Sequence, residues 1–266
     1  MSGYSTIEVE IDANVGYLTL HRPGAGNAID ATLVAECAHA LERLARDASV
    51  VVLRGDAQTF CNGADFGALA AAAAGEPAAG PAEFDPAPLY ALWTQLLRGP
   101  FVSIAYVEGR ANAGGLGFVS ACDIALAGPR AQFGLSELLF GLLPACVLPF
   151  LIRKVGWQRA HYMTLMTRPF DAAQACEWGL VDARDEHPER LLRTHLARLR
   201  RLPRAGVERY KRYASQLDGL VERARDAALA LNREAFADAR NLAAIRSFVE
   251  HGRMPWESTP PHGGHA

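Results

Sequence analysis

NAGGLGFVSACD, residues 112–123, lies between two apolar runs, Phe101 to Val107 before it and Ile124 to Ala127 after it. A strand, a turn opened by two glycines, a helix and a second strand fit that order. This strand, helix, strand alternation favours an α/β core with helices packed outside the sheet. The helix start presents unpaired N–H groups and a partial positive charge, so the turn is suited to an anion or a developing oxyanion, with glycine permitting close approach. A blander reading is that the two glycines only make a tight turn. Gly117 is harder to place, because it falls where the helix is under way and costs roughly 1 kcal/mol relative to alanine. Something must compensate at that position.

Outward from this stretch the alternation continues. TIEVEID and GYLTLH alternate apolar and polar residues and read as a strand pair. Asp30 then suits an N-cap, followed by Leu33, Val34, Cys37, Leu41 and Leu44 at helical spacing. SVVVLRG is a buried strand. Residues 67 to 90 are alanine-rich but broken by glycine and proline, and read either as a surface insertion or as a lid over substrate. Beyond residue 150 the segments RAHYMTLMT, DAAQACEWGLVD, ERLLRTHLARLRRLP and the stretch from 219 to 250 are all helical by period. The tail, residues 257–266, is expected to be disordered.

Half of the 266 residues are apolar and the net charge is -2, which suits a globular chain and disfavours nucleic-acid binding by bulk electrostatics. Five dispersed cysteines without C-x-x-C spacing suggest neither a disulfide framework nor a zinc site, and fit reduced thiols in a cytoplasmic protein. No secretory leader and no membrane span is evident, and no metal site is expected. The run from Arg190 to Arg212, which includes Arg200 and Arg201, reads as a solvated helix face or as a dock for an anionic partner.

A second turn, TFCNGADFGAL, also follows a buried strand and leads into possible helix at a small residue. If the two turns converge, the N–H groups of Ala64 and Gly114 form an oxyanion hole suited to a thioester enolate. Periodicity cannot test that convergence. Asp65 must lie within a few ångströms of the donor turn, either as an acid or base or as the cap of the following helix. Asn62 and Ser136 are possible hydrogen-bonding partners there, and Cys61 reads as packing.

FCNGADF, the segment VEGRANAGGLGFVSACDIALAGPRAQFGLSELLFGLLP and the later GLVD together resemble the enoyl-CoA hydratase/isomerase, or crotonase, superfamily. The likeness spans residues 6 to 256, from HRP and NAID near the start to RSFVEHGRMPW near the end. It implies a crotonase-like spiral of ββα units over residues 1–200 and a helical trimerisation region over 201–256, assembling as trimers or hexamers. It also implies a substrate carried as a phosphopantetheine thioester, with no other cofactor, its carbonyl held by Ala64 and Gly114. Gly115 and Gly117 are placed beside the substrate with Asn62 and Ser136.

Within this resemblance Glu137 matches the second of the two hydratase glutamates and Gly117 the first, so the chain lacks one carboxylate and ordinary hydration is disfavoured. The pattern AGGLGFV most resembles dehydratases of polyketide β-branching cassettes, which act on 3-hydroxy-3-methylglutaryl attached to an acyl carrier protein. Glu137 and Asp65 are then expected to share the proton transfers, and Arg200 and Arg201 to meet the acidic carrier protein. The alternatives are a 3,2-enoyl-CoA isomerase, the companion decarboxylase, and a noncatalytic binding protein of the same fold. Family decarboxylases often recruit a lysine or histidine, and neither Lys154 nor Lys211 lies near the motifs in the sequence.

Overall fold

The computed structural model describes residues 3–73 and 85–257. It opens with the expected hairpin, in which β1 (Ile7–Asp12) pairs antiparallel with β2 (Val15–Leu20), Ile7 opposite Leu20. Asp30 caps α1 (Ala31–Asp47) by accepting a hydrogen bond from the Leu33 N–H at 2.7 Å. The buried face of α1 carries Leu33, Val34, Cys37, Leu41 and Leu44, as the spacing predicts.

The chain then repeats one move three times. Strands β3 (Val50–Arg54) and β4 (Thr59–Cys61) are followed by α2 (Phe66–Ala73) and α3 (Ala87–Arg98). Next, β5 (Val102–Val107) and β6 (Arg110–Asn112) are followed by α4 (Gly114–Ala121). The third repeat, β7 (Ile124–Ala127) and β8 (Gln132–Gly134), leads into a 3-10 turn, Glu137–Phe140, and α5 (Leu148–Val155). Each repeat gives its first strand to a six-stranded sheet, ordered β1-β2-β3-β5-β7 and ending on β10 (Ala183–Arg184), and its second to a four-stranded sheet, β4-β6-β8 ending on β9 (Phe170–Asp171). This is a spiral of ββα units. The three-residue second strands escape the sequence reading, because three residues hold too little alternation to show a period.

The remaining elements are α6 (Trp157–Met166), β9 (Phe170–Asp171), α7 (Ala172–Glu177), β10 (Ala183–Arg184), α8 (Pro188–Leu199), α9 (Arg204–Leu217), α10 (Leu220–Ala237) and α11 (Ala239–His251). The stretch from 219 to 250 is thus two helices rather than one. Asp238 divides them, accepting from the Arg240 N–H at 2.8 Å as the cap of α11.

The large sheet is covered on both faces, which is why its central strands read as continuous apolar runs. Val51, Leu53, Ala105 and Val107 belong to the main core with α1, α3 and α4, while Val50, Val52, Ile104 and Tyr106 face Leu192, Leu196 and Val207 of α8 and α9. The region from residue 201 therefore does more than extend away from the core. Its α9 covers the outer sheet face, and Ile245 of α11 joins Phe140 and Leu142 in a third apolar cluster. Most of the break within 67–90, residues 74–84, and the tail from 258 lie outside the described residues.

Candidate active site

HRP and NAID fix the first wall of the site. The buried Asn27 accepts from the Arg22 N–H at 2.7 Å and donates through Nδ2 to the Thr59 carbonyl at 3.0 Å, tying this loop to β4. The Ile29 N–H donates to the Gly63 carbonyl at 2.7 Å, and the Asp65 N–H to the Ile29 carbonyl at 3.1 Å, forming a parallel bridge between Ile29 and Ala64. In such a bridge the N–H of Ala64 itself points away from Ile29. Gly63 makes the turn with φ +90°.

The second donor arrives from the next repeat. Ala113, a non-glycine residue at φ 50°, leads into α4 and is anchored by its N–H to the Gly134 carbonyl at 2.9 Å. Strain of this kind concentrates at functional sites. Here it turns the chain so that Gly114 becomes the first residue of α4, where no intrahelical partner exists for its N–H. The two turns touch: a Cβ built on Gly63 would lie 2.8 Å from the Ala113 Cβ and 3.3 Å from the Gly114 nitrogen. Ala64 and Gly114 both line a cavity of about 650 Å³. The turns that carry Ala64 and Gly114 therefore meet at one cavity.

Two carboxylates, Asp65 and Glu137, stand on the wall of that cavity, and they differ in kind. Asp65 Oδ1 accepts from the Ala68 N–H at 3.0 Å as the cap of α2, and Oδ2 lies 3.1 Å from Arg22, which also pairs with Asp30 at 2.9 Å. Both oxygens are engaged, so the structure favours the capping role over the proton transfer expected of this residue. Glu137 instead begins the 3-10 turn, and its Oε2 is closed off from solvent without a hydrogen-bond partner. Burial pushes its carboxyl up to about 7, against backbone hydrogen bonds from Glu137 and Ser136 that pull it down. A group with that value exchanges protons readily near neutral pH.

Asn62 and Ser136 also line the cavity, Ser136 Oγ accepting from Asn112 Nδ2 at 2.9 Å. Gly115 and Gly117, expected beside the substrate, do not line it. A Cβ on Gly115 would sit 2.3 Å from the Cys61 carbonyl oxygen, so this glycine lets α4 pack on β4. A Cβ on Gly117 would sit 2.3 Å from Cζ2 and 2.4 Å from Cη2 of Trp93. The indole of Trp93 fills the place of the absent side chain, and Trp93 itself lines the cavity. Cys61 is packing, as expected, its thiol pushed up to about 12 by burial.

A model of the family described as enoyl-CoA hydratase/isomerase matches residues 10–259. The chain belongs to this family. It is 51% identical over 256 residues to the bacillaene synthase dehydratase PksH of Bacillus subtilis (strain 168), covering 96% of this chain and 97% of that protein. The crystal structure of PksH from Bacillus subtilis, described as a polyketide biosynthesis enoyl-CoA hydratase, superposes with a TM-score of 0.91 at 50% identity, covering 95% of this chain and all of that one. More distant is the 2,3-dehydroadipyl-CoA hydratase of Escherichia coli (strain K12), 36% identical over 180 residues, 66% of this chain and 68% of that protein. The chain is accordingly a lyase of the enoyl-CoA hydratase/isomerase family.

Several residues of this family member's cavity carry no mark in the sequence. Trp93 comes from α3, Asn232 and Phe236 from α10, Phe248 from α11, and Met254 follows it. Their periodic spacing announces helices but not the side on which those helices pack. Phe66, Phe140 and Phe248 form an aromatic wall, with centroids 5.1 Å apart for the first pair and 5.2 Å for the second. The lysines are also relocated. Lys211 Nζ reaches Asp123 Oδ2 at 2.7 Å and Lys154 Nζ reaches the Cys122 carbonyl at 3.3 Å, so both hold the C-terminal end of α4 and neither lines the cavity. Arg200 and Arg201 follow α8 on the outer side of the large sheet, where Arg200 pairs with Asp12 at 2.6 Å. The structure does not bring them to the cavity. No helix among the described residues is long and apolar enough to cross a membrane.

Proposed function

We propose that the protein dehydrates a 3-hydroxy-3-methylglutaryl thioester carried on an acyl carrier protein, giving the 3-methylglutaconyl thioester. The observation that carries this reading is a buried carboxyl, Glu137, whose Oε2 has no hydrogen-bond partner, on the wall of a cavity that Ala64 and Gly114 also line. The likeness to a polyketide dehydratase over nearly the whole chain supports the substrate class. Ionised Glu137 takes a proton from C2, and the negative charge passes to the thioester oxygen, which the N–H groups of Ala64 and Gly114 hold. The enolate then collapses, the C2–C3 double bond forms, and the C3–O bond breaks. The departing oxygen takes the proton back from Glu137, so that water leaves and the carboxylate is regenerated. Asp65 and Arg22 keep the Ala64 turn in place during these steps. No cofactor beyond the phosphopantetheine arm of the substrate is required, and with this reading goes assembly into trimers or hexamers.

A 3,2-enoyl-CoA isomerase also needs only one proton-shuttling glutamate, so the same site favours it as the second reading. The test is direct. The protein is incubated with 3-hydroxy-3-methylglutaryl on a carrier protein, and the acyl mass is followed. Loss of water is expected. Loss of carbon dioxide would indicate the decarboxylase, and isomerisation of a 3-enoyl-CoA without loss of water would indicate the isomerase.

Carrier docking is tested separately. Reversing the charge at Arg200 and Arg201 is expected to change turnover of carrier-bound and free pantetheine thioesters alike, by no more than about twofold, as for exposed surface charges. A loss confined to the carrier-bound substrate would restore the docking role of these arginines.

A further inference from the structure

Trp93, which lines the cavity, carries a second buried polar atom without a partner. The residue is 1% exposed, and its Nε1 has no hydrogen-bond partner. Among buried polar groups this is uncommon, and tryptophan in a core normally finds an acceptor. The six-membered ring of the indole, to which the N–H-bearing ring is fused, lies over α4. Cε2, bonded to Nε1, lies 2.6 Å from where a Gly117 Cβ would stand, and Cζ2 lies 3.9 Å from where a Gly114 Cβ would stand. The indole thus packs on the first turn of α4, with its N–H one bond away from Cε2. Phe118 and Phe150 meet the ring edge to face at centroid distances of 5.9 and 5.8 Å and hold its orientation.

We propose that Trp93, whose indole occupies the place left open by Gly117, donates a hydrogen bond through its unpartnered N–H to the C3 hydroxyl oxygen that departs from the substrate. This rests on the dehydratase reading and adds a residue to it. An indole N–H only donates, so it cannot remove a proton from water as a carboxylate can. It can hold an oxygen. As the C3–O bond lengthens, that oxygen gains negative charge and becomes a better acceptor, so the bond from Trp93 is stronger in the transition state than in the bound substrate. Division of labour follows: Glu137 moves the proton, Ala64 and Gly114 hold the enolate, and Trp93 orients the leaving group. With glycine at position 117, that position places no carboxylate beside the departing oxygen.

The test uses Trp93→Phe, which keeps an aromatic ring over Gly117 and removes the N–H. Dehydration of the hydroxyacyl thioester is expected to fall about 10- to 100-fold in kcat. Exchange of the C2 hydrogen of a 3-methylglutaryl thioester in deuterium oxide, which reports Glu137 and the oxyanion hole without a C3 hydroxyl, is expected to stay within about threefold. Equal loss of both would make Trp93 a packing residue only, and unchanged dehydration would overturn its role. Wild-type protein that exchanges C2 hydrogen but releases no water would overturn the dehydratase reading and this proposal together. Should the variant fold poorly, the second measurement uses the Glu137→Gln protein labelled at its four tryptophans. The Trp93 indole proton is expected to move downfield with the 3-hydroxy-3-methylglutaryl thioester and not with the 3-methylglutaryl thioester. The same response to both ligands would overturn the proposal.

Discussion

Glu137→Gln is expected to lower turnover by about two to four orders of magnitude, the usual contribution of general acid–base catalysis. The substitution keeps the shape of the side chain and removes its ability to take the C2 proton, while the Ala64 and Gly114 donors stay in place. Substrate affinity is therefore expected to change far less than kcat. Wild-type activity should rise with pH through an apparent value near 7, because the carboxyl must be ionised to act as a base and burial holds it at about 7. The residual activity of the variant should lack that limb.

Stability gives an independent check with a definite sign. The folded protein holds the Glu137 proton more tightly than the unfolded chain, whose carboxyl sits near 4.5. Between about 4.5 and 7 the folded state carries more bound protons, so its stability falls as pH rises through that window. Full ionisation above it costs up to about 3 kcal/mol. Glu137→Gln should consequently raise the denaturation midpoint more at pH 8 than at pH 5. Turnover within a few-fold of wild type, or an equal stability change at both pH values, would remove Glu137 from the proton-transfer role.

The contrast between Glu137 and Asp65 shows where sequence reading stops. Both are acidic residues beside turns of the right type, and spacing leaves Asp65 open as a base or a cap. The structure adds Arg22 as a partner of Asp65, and Arg22 is brought there by the Asn27 bonds to β4, a contact between segments that no local pattern encodes. The two turns that carry Ala64 and Gly114 are legible because each depends on a local event, a strand running into a tight turn before a helix. Their meeting at one cavity is not, since it needs two successive repeats to stack. Lys211 makes the same point from the opposite side. In sequence it sits in a basic run that suits a solvated face, yet it is buried against Asp123 and the Phe101 carbonyl. Helical period places a residue on a face but says nothing of a lone acid waiting across the interface.

Gly117 was legible as an absence, and the structure supplies its cause. Gly117→Ala is expected to destabilise the fold by about 1–3 kcal/mol, the range for overpacking a well-filled core, although alanine favours helix. The new methyl group would meet the Trp93 ring 2.3 Å away, and that ring cannot swing aside because Phe118 and Phe150 brace it. Gly117→Glu should be worse still, adding a buried carboxyl to the same collision. A carboxylate at position 117 therefore cannot be accommodated by one substitution. Trp93→Leu alone should be destabilising as well, because it leaves a cavity over Gly117. Combined with Gly117→Ala it should cost less than the sum of the two, by about 1–3 kcal/mol in a double-mutant cycle, since each change relieves the other. Chemical denaturation of the four proteins measures that coupling. Strict additivity would mean that the two positions do not share one space. Coupling of the expected sign would mean that Gly117 and Trp93 can change only together, so that any side chain at position 117 requires a smaller residue at position 93.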